Sequence, residues 1–224
     1  MTDVSIAVTV VSADVILLIA FLYGTVNFFG KKAPMYFRFL TCGIGCYLLS
    51  ELLWTAYYFC YDELPDSVGL FSFGYFGCYL FLLSMNYGPV DSMVDDGAKQ
   101  WRKYRLIALA APIVSLAALV PFFLWETHLS AGEILLMLLL NSPKWAASYY
   151  NLKHLIFPDT GYGFIRGMRL GNLLMLVIYA IDTVLVYVTA REMILWEEIF
   201  SVAIPACLLA LVFSAKRGYR KWSI

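Results

Sequence analysis

Seven stretches of the chain are apolar almost without interruption, at 5–29, 39–60, 67–87, 106–125, 131–152, 170–188 and 194–213. Polar and charged residues gather in the short segments between them. A helix rises about 1.5 Å per residue, so roughly 20 apolar residues are needed to cross a ~30 Å hydrocarbon core. The pattern therefore predicts seven transmembrane α-helices. Barrel strands would alternate and be about half as long. The expected fold class is all-α, one polytopic seven-helix bundle filling residues 1–224 with no soluble domain inserted or appended.

Composition narrows the reading further. The chain is 62% hydrophobic and only 14% charged, with a mean hydropathy of +0.75, whereas soluble domains carry about 25% charged residues. Sixteen basic and sixteen acidic residues give no net charge, so nothing recruits nucleic acid. A soluble enzyme, a disordered chain and a disulfide-knit secreted domain are all excluded.

The basic residues set the orientation. Lys31, Lys32, Arg38, Lys99, Arg102, Lys103, Arg105, Lys153, Arg166, Arg169, Lys216, Arg217, Arg220 and Lys221 fall on one side of the predicted bundle. Asp62, Glu63, Asp66, Glu126, Glu133 and Glu192 fall on the other. By the positive-inside rule the N-terminus lies outside and the C-terminus in the cytoplasm. An integral multi-pass protein of the plasma membrane is expected, with the lipid bilayer as its first partner. The first span is no cleaved signal, since Asp3 is the only charge before it and its apolar run exceeds an h-region. Cys42, Cys46, Cys60, Cys78 and Cys207 sit mostly within spans and form no C-x-x-C pair, so neither a disulfide framework nor a zinc site is expected.

Ionisable residues at membrane depth cost about 2.5 to 3.5 kcal/mol each, which makes every one a functional candidate. Four occur: Asp14, Glu51, Lys144 and Asp182. From their distances to the span ends the three carboxylates lie roughly 9–14 Å below the outer surface, and Lys144 about 20 Å. Three carboxylates at one level need a shared proton or a cation. A polar cavity open to the outside is expected, lined by Asp14, Glu51, Trp54, Asn141, Lys144, Tyr179 and Asp182. Pro143 should interrupt span five, because it cannot donate to the carbonyl of Leu139, leaving Asn141, Ser142 and Lys144 as polar groups at depth. Trp54 and Tyr179 would wall a pocket for an aromatic or cationic ligand. The connection from Asn86 to Arg105, with Asp91, Asp95 and Asp96 beside a basic–aromatic run, is expected to anchor on lipid or to meet a cytoplasmic protein partner at 88–105.

Several chemistries lack their residues. Only His128 and His154 occur, and neither G-x-S-x-G nor H-E-x-x-H is present, so no catalytic residue, metal or cofactor is expected. Span seven has no lysine for a retinal Schiff base. The first functional expectation is a non-enzymatic receptor or sensor for a small ligand. In layout alone the chain resembles the seven-helix sensory input domains of bacterial signalling proteins. The alternative is a secondary transporter, with proton coupling, arranged as three helices, a linker and three helices, as in the sugar-efflux proteins of the SWEET class. Glu51 and Asp182 would then occupy corresponding second helices, although no Pro-Gln pair is present. An enzyme acting on lipid through paired carboxylates ranks third. Glu51→Gln and Asp182→Asn are expected to change ligand affinity while folding persists.

Overall fold

A computed structural model describes residues 3–29, 33–61, 70–125, 130–158, 164–191 and 193–222. These are helical throughout apart from short turns, and no strand occurs among them. The helices are α1 (Asp3–Phe28), α2 (Met35–Tyr61), α3 (Leu70–Asn86), α4 (Pro89–Val94), α5 (Arg102–Ala108), α6 (Ala110–Trp125), α7 (Ala131–Ile156), α8 (Phe164–Ala190) and α9 (Ile194–Trp222). A single 3-10 turn, Lys99–Trp101, leads into α5. Lys31, Lys32, Asp62, Glu63, Asp66, Glu126, His128 and Glu192, which bear on the charge asymmetry, lie outside the described residues, as do the side chains of Arg166, Arg217, Arg220 and Lys221.

Local chemistry explains the helix ends that are well defined. Ser130 caps α7, its Oγ accepting from the Glu133 N–H at 3.3 Å while Glu133 Oε2 accepts from the Ser130 N–H at 2.7 Å. That reciprocal pair satisfies donors that an open helix end leaves unpaired. Pro89 opens α4 at a position where its missing N–H costs nothing. Gly88 and Gly97 bracket α4, both at φ +80°, a region that side-chain-bearing residues rarely adopt.

Five stretches among the described residues are long and apolar enough to cross a membrane: Ile6–Phe28, Met35–Tyr61, Lys99–Phe123, Met168–Thr189 and Ile194–Lys216. These make the chain all-helical with the character of a multi-pass membrane protein. α3 and α7 fall short for opposite reasons. α3 has 17 described residues, just under the needed length, while α7 is long but carries a row of polar side chains along one face.

Neighbouring helices close a ring in the order α1, α2, α3, α7, α8, α9 and back to α1, with α6 outside against α7 and α8. Contacts along the axes give each direction. Let the upper end be the one where α1 begins. Near that end Asp14 meets Thr55, and at the lower end Phe28 stacks on Phe37 at 4.8 Å, so α2 rises as α1 descends. Asn86 meets Asn151 and Lys144 meets Tyr79, so α3 and α7 descend side by side. Tyr23 meets Phe213 at 4.5 Å, so α9 descends beside α1. The ring is thus two three-helix runs of the same order and direction, closed head to tail.

Packing in the ring is close. A Cβ at Gly74 of α3 would come within 2.1 Å of Ser50 Oγ and 2.8 Å of the Cys46 carbonyl of α2. The missing side chain lets Ser50 donate to the Phe71 carbonyl at 2.6 Å. Leu17, Ala20, Leu40, Ile44, Leu82, Met175, Ile178, Ile204 and Leu208 fill the interior. Val26, Leu70, Val114, Leu135 and Leu139 lie mostly exposed on the outer surface, the arrangement a lipid environment favours.

Candidate functional site

Spacings of three and four residues put Lys144, Ser148, Asn151 and His154 on one face of α7, and all four are buried. An amine at that depth requires a counter-charge. Lys144 Nζ finds it in Asp182 Oδ2 of α8, at 2.5 Å, and lies 5.8 Å from the Tyr79 ring centroid, an additional cation–π contact. Asp182 keeps 23% of its side-chain surface exposed, while Lys144 keeps 1%. The pair therefore has one face that is not covered by protein.

The other two carboxylates belong to the opposite half of the ring. Glu51 Oε1 of α2 accepts from the Tyr75 hydroxyl of α3 at 2.7 Å. Tyr47 packs edge-on against Tyr75, with centroids 4.9 Å apart. Tyr75 and Tyr79 stand one turn apart on α3, so Glu51 and the Lys144–Asp182 pair meet the same face of that helix. Asp14 Oδ2 accepts from Thr55 Oγ1 at 2.8 Å, its Oδ1 is buried without a hydrogen-bond partner among the described residues, and Glu51 lies within its electrostatic reach.

Of the seven expected lining residues, Lys144 pairs with Asp182 beside Tyr79, Glu51 with Tyr75, Asp14 with Thr55 and Tyr179 with Asn151. Trp54 stacks on Tyr58 of its own helix, 5.9 Å apart and nearly parallel. Asn141 turns its amide to the Met137 carbonyl one turn earlier in α7. The helix runs unbroken through Pro143, and Ser142 Oγ donates to the Leu139 carbonyl at 2.8 Å, taking the acceptor that the proline leaves free. Asn141 and Ser142 thus bond within their own helix, and Lys144 reaches the neighbouring helices α8 and α3.

Below the charged level a layer of neutral groups follows. Asn151 donates to the Tyr179 hydroxyl at 3.1 Å, and Asn86 donates to Asn151 Oδ1 at 2.7 Å and faces Met175 Sδ at 3.7 Å. Tyr179 in turn packs edge-on against Tyr79 at 5.8 Å. Polar contacts therefore continue down the α3–α7–α8 seam. Asn86, Asn151 and Asn172 are all fully buried. Their signal in the sequence was an amide within or at the edge of an apolar stretch, which is weaker than a charge because an amide costs less to bury.

At the lower end α4 is clasped onto α7. Asp91 Oδ1 meets Lys153 Nζ at 2.6 Å and His154 Nε2 at 3.1 Å, and Asp95 Oδ2 meets Lys153 Nζ and Arg105 Nε, each at 3.0 Å. These groups lie just beyond the apolar part of α7. Burial alone would raise the Asp91 carboxyl, but hydrogen bonds from His154 and Lys153 and their charges hold it below its ordinary value. Burial opposes the charge on Lys153, yet the bonds to Asp91 and Asp95 raise it. For His154 burial wins over Asp91, and the imidazole is pushed down.

No known family, curated protein or solved structure matches this chain. Carboxylates, an ammonium and tyrosine faces are groups whose chemistry suits hydrogen bonding and ion pairing with amines and acids. Among the described residues no cluster of His, Cys, Asp or Glu is arranged to hold a metal ion.

Proposed function

We propose that the chain is a seven-span, non-enzymatic membrane protein, N-terminus outside and C-terminus cytoplasmic, that takes a small polar ligand at the Glu51, Lys144 and Asp182 level and carries it across the plasma membrane. The observation that carries this reading is the closed ring of two like three-helix runs, with Glu51 and Asp182 on the corresponding second helices, α2 and α8. Parallel repeats around a midplane site are the architecture that lets one half rock against the other. The descending row Lys144, Ser148, Asn151 and His154 supports the same reading. Burying polar groups along a whole helix is costly, and an outward cavity alone would not call for it. α3 and α7 count as spans here because they descend the full ring beside apolar neighbours.

A receptor for the same ligand is the second reading, favoured by the clasp. It ties the polar row of α7 to the segment holding Lys99, Arg102 and Lys103, which are exposed and available to a cytoplasmic protein.

Liposomes holding the purified protein separate the two. Uptake of radiolabelled amines, amino acids and hydroxy acids is measured with and without an inward proton gradient. Transport predicts uptake of at least one probe that Glu51→Gln abolishes. Thermal stabilisation by a probe without uptake would favour the receptor, and neither stabilisation nor uptake by any probe would overturn both.

A further inference from the structure

Two helix faces run antiparallel down the lower half of the ring. Lys144 meets Asp182, Asn151 meets Tyr179, and Met168 packs on the cluster built around Phe157. This register places Asn172 of α8 level with His154 of α7. One turn above Asn172 is Met175, whose sulfur faces Asn86 of α3. Three elements thus converge just below the Asn86–Asn151 bond. Four polar atoms at this level are buried without a hydrogen-bond partner among the described residues: Asn86 Oδ1, His154 Nδ1, and both Nδ2 and Oδ1 of Asn172. Buried polar groups are nearly always paired, so these orphans call for a partner that the protein itself does not supply.

α4 reaches this level at His154, whose Nε2 meets Asp91 at 3.1 Å. Its Val90 and Val94 sit on Phe157, with Trp101, Tyr104 and Met168 around them. Asp91 and Asp95 hold it to Lys153, His154 and Arg105. On each side stands a glycine at φ +80° with open space around it, so the segment has two points at which the backbone can swing. Lys153 and Asp95 are 4% and 5% exposed in the clasp, so the closed position is held by their buried ion pair, and removing the carboxylates takes away what holds the lid down.

We propose that α4 is a hinged lid over a polar site formed by Asn86, Asn172 and His154, and that water enters this site when the lid lifts. Water supplies both a donor and an acceptor, which matches the two orphaned acceptors and the paired donor and acceptor of Asn172. The lid stands apart from the choice between transport and reception, since either needs a lower end that changes state.

Thiol labelling in lipid nanodiscs tests it. In a background with Cys42, Cys46, Cys60, Cys78 and Cys207 replaced by alanine or serine, Asn172→Cys is exposed to a charged methanethiosulfonate. The same is done after adding Asp91→Asn and Asp95→Asn, which release the lid. Leu173→Cys, on the outward face where its leucine is 47% exposed, is the control for general loosening. Labelling at position 172 should accelerate about tenfold on lid release, following the open population, while position 173 stays unlabelled. Should Asn172→Cys not give monodisperse protein, Asn86→Cys carries the same comparison. No labelling, a rate indifferent to lid release, or equal labelling at position 173 would overturn the lid. Liposomes without uptake, together with accelerated labelling, would remove transport and leave the lid standing.

Discussion

At the scale of single residues the Lys144–Asp182 pair dominates, because its ammonium is closed off from solvent. Removing one partner of a buried pair leaves the other uncompensated, at a cost of about 3–5 kcal/mol. Asp182→Asn should therefore lower the unfolding temperature in detergent markedly, contrary to the expectation from the sequence that folding would persist. Lys144→Met combined with Asp182→Leu should recover most of the loss, since an apolar pair of similar volume is often neutral. A double variant no more stable than Asp182→Asn would show that the pair is not what the fold depends on. Glu51→Gln keeps an acceptor for the Tyr75 hydroxyl and should unfold close to wild type. The four ionisable residues were legible in the sequence because charge in an apolar run is conspicuous. Their partners were not: Tyr75, Thr55 and Tyr79 are ordinary in composition, and only the meeting of helices distant in sequence gives them a role.

Among the elements, α3 lies so near α2 that a Cβ at Gly74 would meet Ser50 Oγ at 2.1 Å and the Cys46 carbonyl at 2.8 Å. Gly74→Ala places a methyl against a backbone carbonyl that cannot step aside, so α3 must shift, at about 1–3 kcal/mol. Tyr75 adjoins Gly74, so the same variant should weaken any ligand signal that depends on Glu51. Gly77→Ala meets only Cys46 Sγ at 3.3 Å and should be milder, a ranking that thermal unfolding checks directly. The α4 clasp carries its own pH dependence. The His154 imidazole is lowered from 6.5, so the unfolded chain binds its proton more readily, and its contribution declines as pH falls below 6.5. Asp91, lowered from 3.8, contributes above 3.8 and fails as pH falls through its folded value. Lys153, raised from 10.5, contributes below 10.5 and fails as pH rises through its folded value. His154→Gln should remove the decline that begins just below 6.5 and leave the other two, as read from unfolding temperature against pH. An unchanged acid slope in that variant would assign it to other groups. Hydropathy located the long helices but cut them short where they turn polar, α8 beginning at Phe164 and not 170 and α9 running to Trp222 and not 213, and it left the 86–105 connection as surface. Charged side chains look alike in a sequence whether they face water or, as Asp91 and Asp95 do, fold back on a neighbouring helix.

Over the whole molecule the ring has a consequence for assembly. The covalent link between α6 and α7 is not the only joint between the halves: the α4 clasp ties Asp91 and Asp95 to Lys153. Two seams join them as well, α3–α7, with Asn86 bonded to Asn151, and α1–α9, where Tyr23 lies against Phe213 and under Lys216 at 4.8 Å. In lipid, helices are already formed before they associate, so packing and interhelical hydrogen bonds decide which segments come together. A chain cut between Trp125 and Ser130 keeps both seams and also leaves α6 free to dock on α7 and α8, where Phe122 meets Tyr187 at 5.8 Å. Co-expressed segments 1–127 and 128–224 should therefore purify together through a tag on either one. Adding Asn86→Leu and Asn151→Leu to the split pair should weaken that recovery far more than it affects the intact chain. In the intact chain the linker holds the local concentration of each half high, whereas the split pair depends on the seam itself. Segments that fail to co-purify before any substitution would mean that the linker, and not the two seams, closes the ring.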